Sequence, residues 1–132
     1  MKANELMIGD WVRNDLNEVQ QVVELREGRI MLAYNDMYDY DEIDPIPITP
    51  EILEKNGFEK QGFDGWEYNI YGQANGDYLC SVLWRTDYGI PHLMIESHSS
   101  KHGSFRSFEI RYVHELQHAL RLCGIEKIIE PL

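Results

Sequence analysis

Residues 45 to 50 read Pro45-Ile46-Pro47-Ile48-Thr49-Pro50, and three prolines in six positions leave the backbone little choice. Each residue before a proline is pushed out of the α region, so Pro45 to Ile48 must run extended. Helix-start signals follow at once. Thr49 can cap, Pro50 suits the first helical position, where no N–H bond is needed, and Glu51 sits in the first turn, where the helix dipole favours an anion. Lys55 in the last turn and the Asn56-Gly57 stop complete a short helix over residues 50–56. Ile52, Leu53 and Phe58 would pin it to a core. The segment separates a β-rich part, 1–48, from an α+β part, 49–132. At 132 residues this is at most a subdomain seam within one compact domain, since a typical domain runs to roughly 100–200 residues.

The part before the prolines reads as short strands. Met7 to Val12 leads into Val19 to Leu25, Glu27-Gly28 supplies a turn, and Arg29 to Tyr34 returns. This predicts a hairpin-rich start, an SH3-like small barrel. The stretch Asp36 to Asp44 packs five acids and two tyrosines into nine residues, which suits a solvated loop or an edge strand whose charges discourage edge-to-edge pairing.

Beyond the short helix the pattern returns to period two. Trp66, Tyr68 and Ile70 alternate with Glu67, Asn69 and Tyr71; after Asn75-Gly76, Tyr78, Cys80, Val82 and Trp84 alternate with Leu79, Ser81 and Leu83. An antiparallel hairpin at the centre of a sheet is expected. A third strand over 90–96 begins beside Pro91, and Ser97 to Ser104 reads as a polar loop. At 100° per residue, Tyr112, Val113, Leu116, Ala119, Leu120 and Cys123 fall within an arc of about 120°, the stripe of a helix that covers a sheet. Gly124 ends that helix, and Ile125 to Glu130 reads as a final strand. The expected fold is therefore α+β: a β-hairpin region or small SH3-like barrel, a capped helix, and an antiparallel sheet covered by an amphipathic C-terminal helix.

The formal charge of −11 opposes general nucleic-acid binding, which needs clustered Lys and Arg to meet phosphates. Its distribution is uneven. Residues 1–66 hold 15 acids and 6 bases, net −9, whereas residues 67–132 hold 8 acids and 6 bases, net −2. Met1 to Val12 lacks the apolar core of a signal peptide, and the longest apolar run, Ile30 to Tyr34, is far below the roughly 18 residues of a membrane span. A cytoplasmic protein without membrane contact is expected. Cys80 and Cys123 then read as reduced, half-buried core thiols, without CxxC spacing.

His114-Glu115-Leu116-Gln117-His118 matches H-E-x-x-H within the last helix. In zinc peptidases such histidines project from one helix face onto the metal, and the glutamate polarises the attacking water. On the wheel both histidines point away from the apolar stripe. With five histidines and 14 glutamates in the chain, however, the pattern arises by chance in roughly 2% of such sequences. A third ligand is also needed, and no histidine follows His118; Glu130, His92, His98 or His102 would have to supply it. The sequence therefore assigns no catalytic residue, no metal ligand and no cofactor.

Two surfaces remain. Arg111, His114, His118 and Arg121 share a helix face, with Lys101 and Arg106 upstream. This is either a solvated face with Arg near the negative end of the dipole, or a basic stripe for an acidic partner, a phosphate, or the acidic half of a second copy. The acidic run with Tyr38 and Tyr40 is either a solvated edge or a docking surface, including mimicry of nucleic acid toward a DNA-binding protein. Asp39, Asp41 and Asp44 are no EF-hand, because the loop glycine and distal glutamate are missing. Gly62 to Gly65 and Gly72 to Gly76 are turn chemistry, not phosphate cradles.

Ala3 to Val12, Pro45 to Phe58 and Tyr112 to Gln117, in that order and approximate spacing, resemble a family of small proteins of no established activity from Bacteroides-type gut bacteria and their phages or prophages. The resemblance implies a bacterial or phage accessory protein in the cytosol. It also implies that the position of His118 takes other polar residues such as asparagine and that of Glu115 glutamine, which makes the H-E-x-x-H match accidental. It carries over no functional residue. The expected function is a non-enzymatic protein-binding or regulatory module of a phage or mobile element, engaging a protein partner or itself; the alternative is a metal-dependent hydrolase centred on His114, Glu115 and His118.

Overall fold

The computed structural model describes residues 1–34, 36–61, 67–74, 76–84, 91–97, 104–122 and 127–131. It is a mixed α+β fold with antiparallel sheets and a C-terminal helix. The chain divides into two units. One comprises Met1–Pro47 with Tyr112–His114, and the other Ile48–Arg111 with Glu115–Glu130.

The first unit holds a five-stranded antiparallel sheet built from β1 (Trp11–Arg13), β2 (Val19–Arg26), β3 (Arg29–Leu32), β4 (Met37–Asp39) and β5 (Asp44–Pro45). Their order is β4-β3-β2-β1-β5, so the chain crosses from one edge to pair its last strand with the first. Asn14 shapes the β1–β2 turn: its Oδ1 accepts the N–H groups of Leu16 and Glu18 at 3.0 and 2.8 Å. The β2–β3 turn closes at Arg26 opposite Arg29, with Gly28 at φ +78°. Pairing jumps from Val22–Leu32 to Glu24–Met31, leaving Val23 as the extra residue of a bulge. The core is Leu6, Val12, Val22, Ile30, Leu32 and Ile43, with Met1, Leu25, Tyr38 and Tyr40 against it.

The acidic run supplies both edges of this sheet, β4 and β5, joined by a 3-10 turn at Tyr40–Glu42. Its two tyrosines turn inward rather than outward. The Tyr40 hydroxyl donates to the Arg26 carbonyl at 2.8 Å, and the Tyr38 hydroxyl accepts from Asn14 Nδ2 at 3.2 Å. In the proline segment Ile46 and Ile48 are buried while Pro47 is exposed, so extension delivers alternate isoleucines inward. The N–H of Val113 reaches the carbonyl of Ile46 at 2.8 Å in the first unit. The N–H of Ile48 reaches the carbonyl of Arg111 at 3.0 Å in the second.

The second unit opens with α1 (Pro50–Lys55). Thr49 Oγ1 accepts the Ile52 N–H at 3.3 Å, Pro50 starts the helix, and Gly57 takes φ +87° just beyond the Asn56 cap. Ile52, Leu53 and Phe58 are buried, as the capping pattern and apolar spacing require. Five strands follow as an antiparallel meander in the order β10-β9-β8-β7-β6: β6 (Glu59–Gln61), β7 (Glu67–Ala74), β8 (Gly76–Trp84), β9 (Pro91–Ser97) and β10 (Ser104–Glu109). The expected central hairpin is β7 with β8, where Tyr68 faces Val82 and Ala74 faces Gly76; Asn75, Trp66 and the Gly62–Gly65 turn lie outside the described residues. Strands β6 and β10, both at edges, were not anticipated. Burial, then the charges of Glu54 and Glu51, raise the Tyr68 hydroxyl above its ordinary pKa.

The last helix, α2 (Val113–Leu122), buries Val113, Leu116, Ala119 and Leu120 as expected. Gly124 and Cys123 lie outside the described residues. The expected final strand does not form over Lys127–Glu130: these residues join no sheet. Side-chain amides supply the hydrogen bonds that a neighbouring strand would have made, through Asn56 and Gln117. No helix among the described residues is long and apolar enough to cross a membrane.

Candidate functional site

Glu115 is the third residue of α2, and its Oε1 accepts the backbone N–H of Arg111 at 2.9 Å. The bond ties the chain entering the helix to its first turn, where the dipole favours negative charge. The carboxylate that would polarise water in a zinc peptidase is therefore engaged in holding the helix start.

The histidines do not share an outward face. His114 is 5% exposed, and its ring lies parallel to that of Tyr112 with centroids 5.8 Å apart and planes 7° apart. His118 is half-buried. The wheel placed both opposite the apolar stripe, but Gln117 and His114 are buried too, so the covered face of the first turns of α2 is wider than the apolar stripe. Gln117 accounts for part of this, because the C-terminal segment lies against it. Among the described residues no group of three or more His, Cys, Asp and Glu side chains could hold a metal ion. His92 lies in β9, His98 and His102 fall outside the described residues, and Glu130 has its backbone taken by Asn56.

The basic stripe shrinks for the same reason. Arg111 and Arg121 are exposed, but His114 is withdrawn into the interior. Lys101 lies outside the described residues and Arg106 falls on β10. The acidic stretch keeps its charges at the surface, with Asp36, Asp39, Asp41, Glu42 and Asp44 exposed, while Tyr38 and Tyr40 are half-buried against the core. Glu24, held below the ordinary carboxylate range by its bond to Arg26 at 2.8 Å, forms a local pair on β2.

An apolar surface appears that spacing did not indicate. The N–H of Gly9 donates to the Val22 carbonyl at 2.8 Å and the N–H of Val22 to the Asp10 carbonyl at 2.8 Å, so two residues oppose one, while the N–H of Asp10 reaches the Met7 carbonyl at 3.1 Å and closes a turn with Ile8 and Gly9 at its centre. Gly9 takes φ +95°, and Asp10 is buried with its carboxylate accepting the Met7 N–H at 2.7 Å. Met7, Ile8 and Val23 are 46%, 63% and 42% exposed. Met7 and Ile8 lie at the turn before β1 and Val23 at the bulge of β2, and neither irregularity leaves a periodic trace. The one available signal was Gly9-Asp10, a dipeptide suited to a turn.

A second unanticipated constellation is the pair of amides on the C-terminal segment. Asn56 reads as a helix cap and Gln117 as a polar helix residue, 61 positions apart, with nothing local to link them. Comparison with protein-family models, curated proteins and solved structures gives no match for this chain.

Proposed function

We propose that this chain is a non-enzymatic protein-binding or regulatory module of a phage or mobile element, acting in the cytoplasm, and that its first unit is a small SH3-like barrel. The observation that carries the binding reading is the exposed aliphatic group Met7, Ile8 and Val23 on a strongly acidic unit. Residues 1–47 hold eleven acids and four bases, and among those acids Asp10 alone is buried. Exposed aliphatic side chains on a unit of unbalanced charge fit a basic protein partner: the acids speed and orient the encounter, and the aliphatic side chains supply desolvation. The barrel reading draws on the return of β5 to β1, a connection that helps a small sheet curl and shield its edges. Phage or mobile-element origin draws on the sequence resemblance alone.

Affinity capture from an extract of the native host, with the wild-type chain and an Ile8→Glu/Val23→Glu variant, tests this reading. A basic protein held by the wild type at low salt and lost in the variant is the expected result. Equal capture by both would overturn the assignment of the surface. Metal analysis of untagged protein addresses the other class: stoichiometric zinc, lost in His114→Ala, would replace the binding module by a hydrolase.

A further inference from the structure

Residues 127–130 are held in the manner of a bound peptide. Gln117 Nε2 donates to the Lys127 carbonyl at 2.8 Å, and its Oε1 accepts the Ile129 N–H at 2.7 Å. Asn56 takes both main-chain groups of the next residue, with Nδ2 donating to the Glu130 carbonyl at 2.7 Å and Oδ1 accepting the Glu130 N–H at 2.8 Å. Two primary amides thus read four main-chain groups. Nδ2 of Asn56 also donates to the Ile52 carbonyl at 2.7 Å, which fixes the amide to the end of α1. Ile129 is 1% exposed, while its neighbours Ile128 and Glu130 face solvent.

Among the described residues no backbone–backbone hydrogen bond holds this segment. Recognition through main-chain groups with one alternate side chain in a pocket is how proteins bind extended peptides: the backbone bonds give affinity that tolerates sequence, and the pocket gives selectivity. A carboxamide carries a donor and an acceptor side by side, so it satisfies a peptide group as a neighbouring strand would. Unlike a strand in a sheet, the segment joins no ladder among the described residues.

We propose that Asn56, Gln117 and the Ile129 pocket form a peptide-binding groove, occupied in cis by the chain's own residues 127–130, whose trans ligand is the same segment of a second copy. This inference does not depend on the Met7–Ile8–Val23 surface. The segment that fits the groove within one chain fits it equally from another. A tethered ligand has an effective concentration on the order of millimolar, so the cis contact prevails in dilute solution and exchange gains weight as protein concentration rises.

A fluorescein-labelled peptide with the sequence of residues 126–132, titrated with full-length protein, tests the groove directly. The Ile129→Ala chain should bind it roughly tenfold or more tightly than the wild type does, because removing the buried side chain weakens the competing cis segment but leaves both amides in place. Adding Gln117→Ala should abolish that gain, and a peptide carrying Asp at the Ile129 position should not bind. A folded Ile129→Ala chain that binds no better than wild type would overturn the proposal. Unfolding of that variant would also overturn it, since the segment would then belong to the core. Hydrogen exchange on the unaltered chain gives an independent reading. The Ile129 and Glu130 amides should exchange faster than those of Leu116 and Leu120 by local opening, and equal protection would sink the displaceable segment.

Discussion

Glu115 shows how one residue can satisfy a catalytic motif and serve a different end. Its bond to the Arg111 N–H at 2.9 Å uses the side-chain length and charge that the zinc motif also demands, so the residue type alone does not separate the two roles. Stability separates them. Losing a hydrogen bond of this kind, with the favourable charge at the helix start, costs about 1 kcal/mol, whereas removing a water-polarising base from the surface would leave stability unchanged or higher. Glu115→Ala should therefore lower the urea midpoint by an amount equivalent to about 1 kcal/mol, and Glu115→Gln, which keeps an acceptor, by less. An unchanged midpoint in Glu115→Ala would show that the bond contributes nothing and would reopen the question of what the carboxylate does. The same distinction applies to His114, whose parallel stacking on Tyr112 is a packing role that no motif encodes.

The elements that were legible are those whose chemistry is local. Helix α1 follows from Thr49, Pro50 and Asn56-Gly57, four residues that act within their own turn, and the β7–β8 hairpin follows from period-two alternation. Strands β6 and β10 escaped because neither alternates: Glu59-Lys60-Gln61 is polar throughout, and Phe105 and Phe108 are three apart, a spacing that reads as a helix turn. Both owe their existence to a neighbouring strand. The missing final strand reverses that lesson, since Ile128 and Ile129 have strong β-propensity yet find amide side chains in place of a ladder. The β2–β3 hairpin offers a measurable test of the local kind. A Cβ added at Gly28 meets nothing within 4 Å, so the φ of +78° is the sole obstacle to substitution there. Gly28→Ala should cost about 1–2 kcal/mol through backbone strain, and Gly28→Asn clearly less, because asparagine tolerates the left-handed region. Equal costs in denaturant unfolding would point instead to a side-chain clash.

At the scale of the whole chain, charge is the property composition captured and contacts barely modify. The candidate surfaces were only partly legible, because the exposure of Ile8 follows from the turn closed between Met7 and Asp10 and Asn56 meets residue 130 across 74 positions, and neither relation has a sequence period. The net charge of −11 needed no such relation. The ion pairs Arg26–Glu24 at 2.8 Å and Arg29–Asp39 at 3.8 Å have all four side chains well exposed, and such pairs contribute little. With a net charge of −11 the dominant long-range electrostatic effect is repulsion among like charges, which disfavours the compact state. Raising ionic strength from about 0.01 M to about 0.15 M shortens the screening length from roughly 30 Å to roughly 8 Å, so repulsion across the molecule fades while contact pairs change less. The thermal midpoint should rise with sodium chloride over this range by about 3 °C or more, a shift equivalent to roughly 1 kcal/mol for a chain of this size. Neutral sugar at matched osmolarity should not reproduce the shape of that rise, which is expected to flatten once the screening length falls below the spacing of surface charges. A midpoint that falls as salt is added would mean that attraction between opposite charges outweighs the acidic excess, and that the imbalance in composition does not govern the folded state.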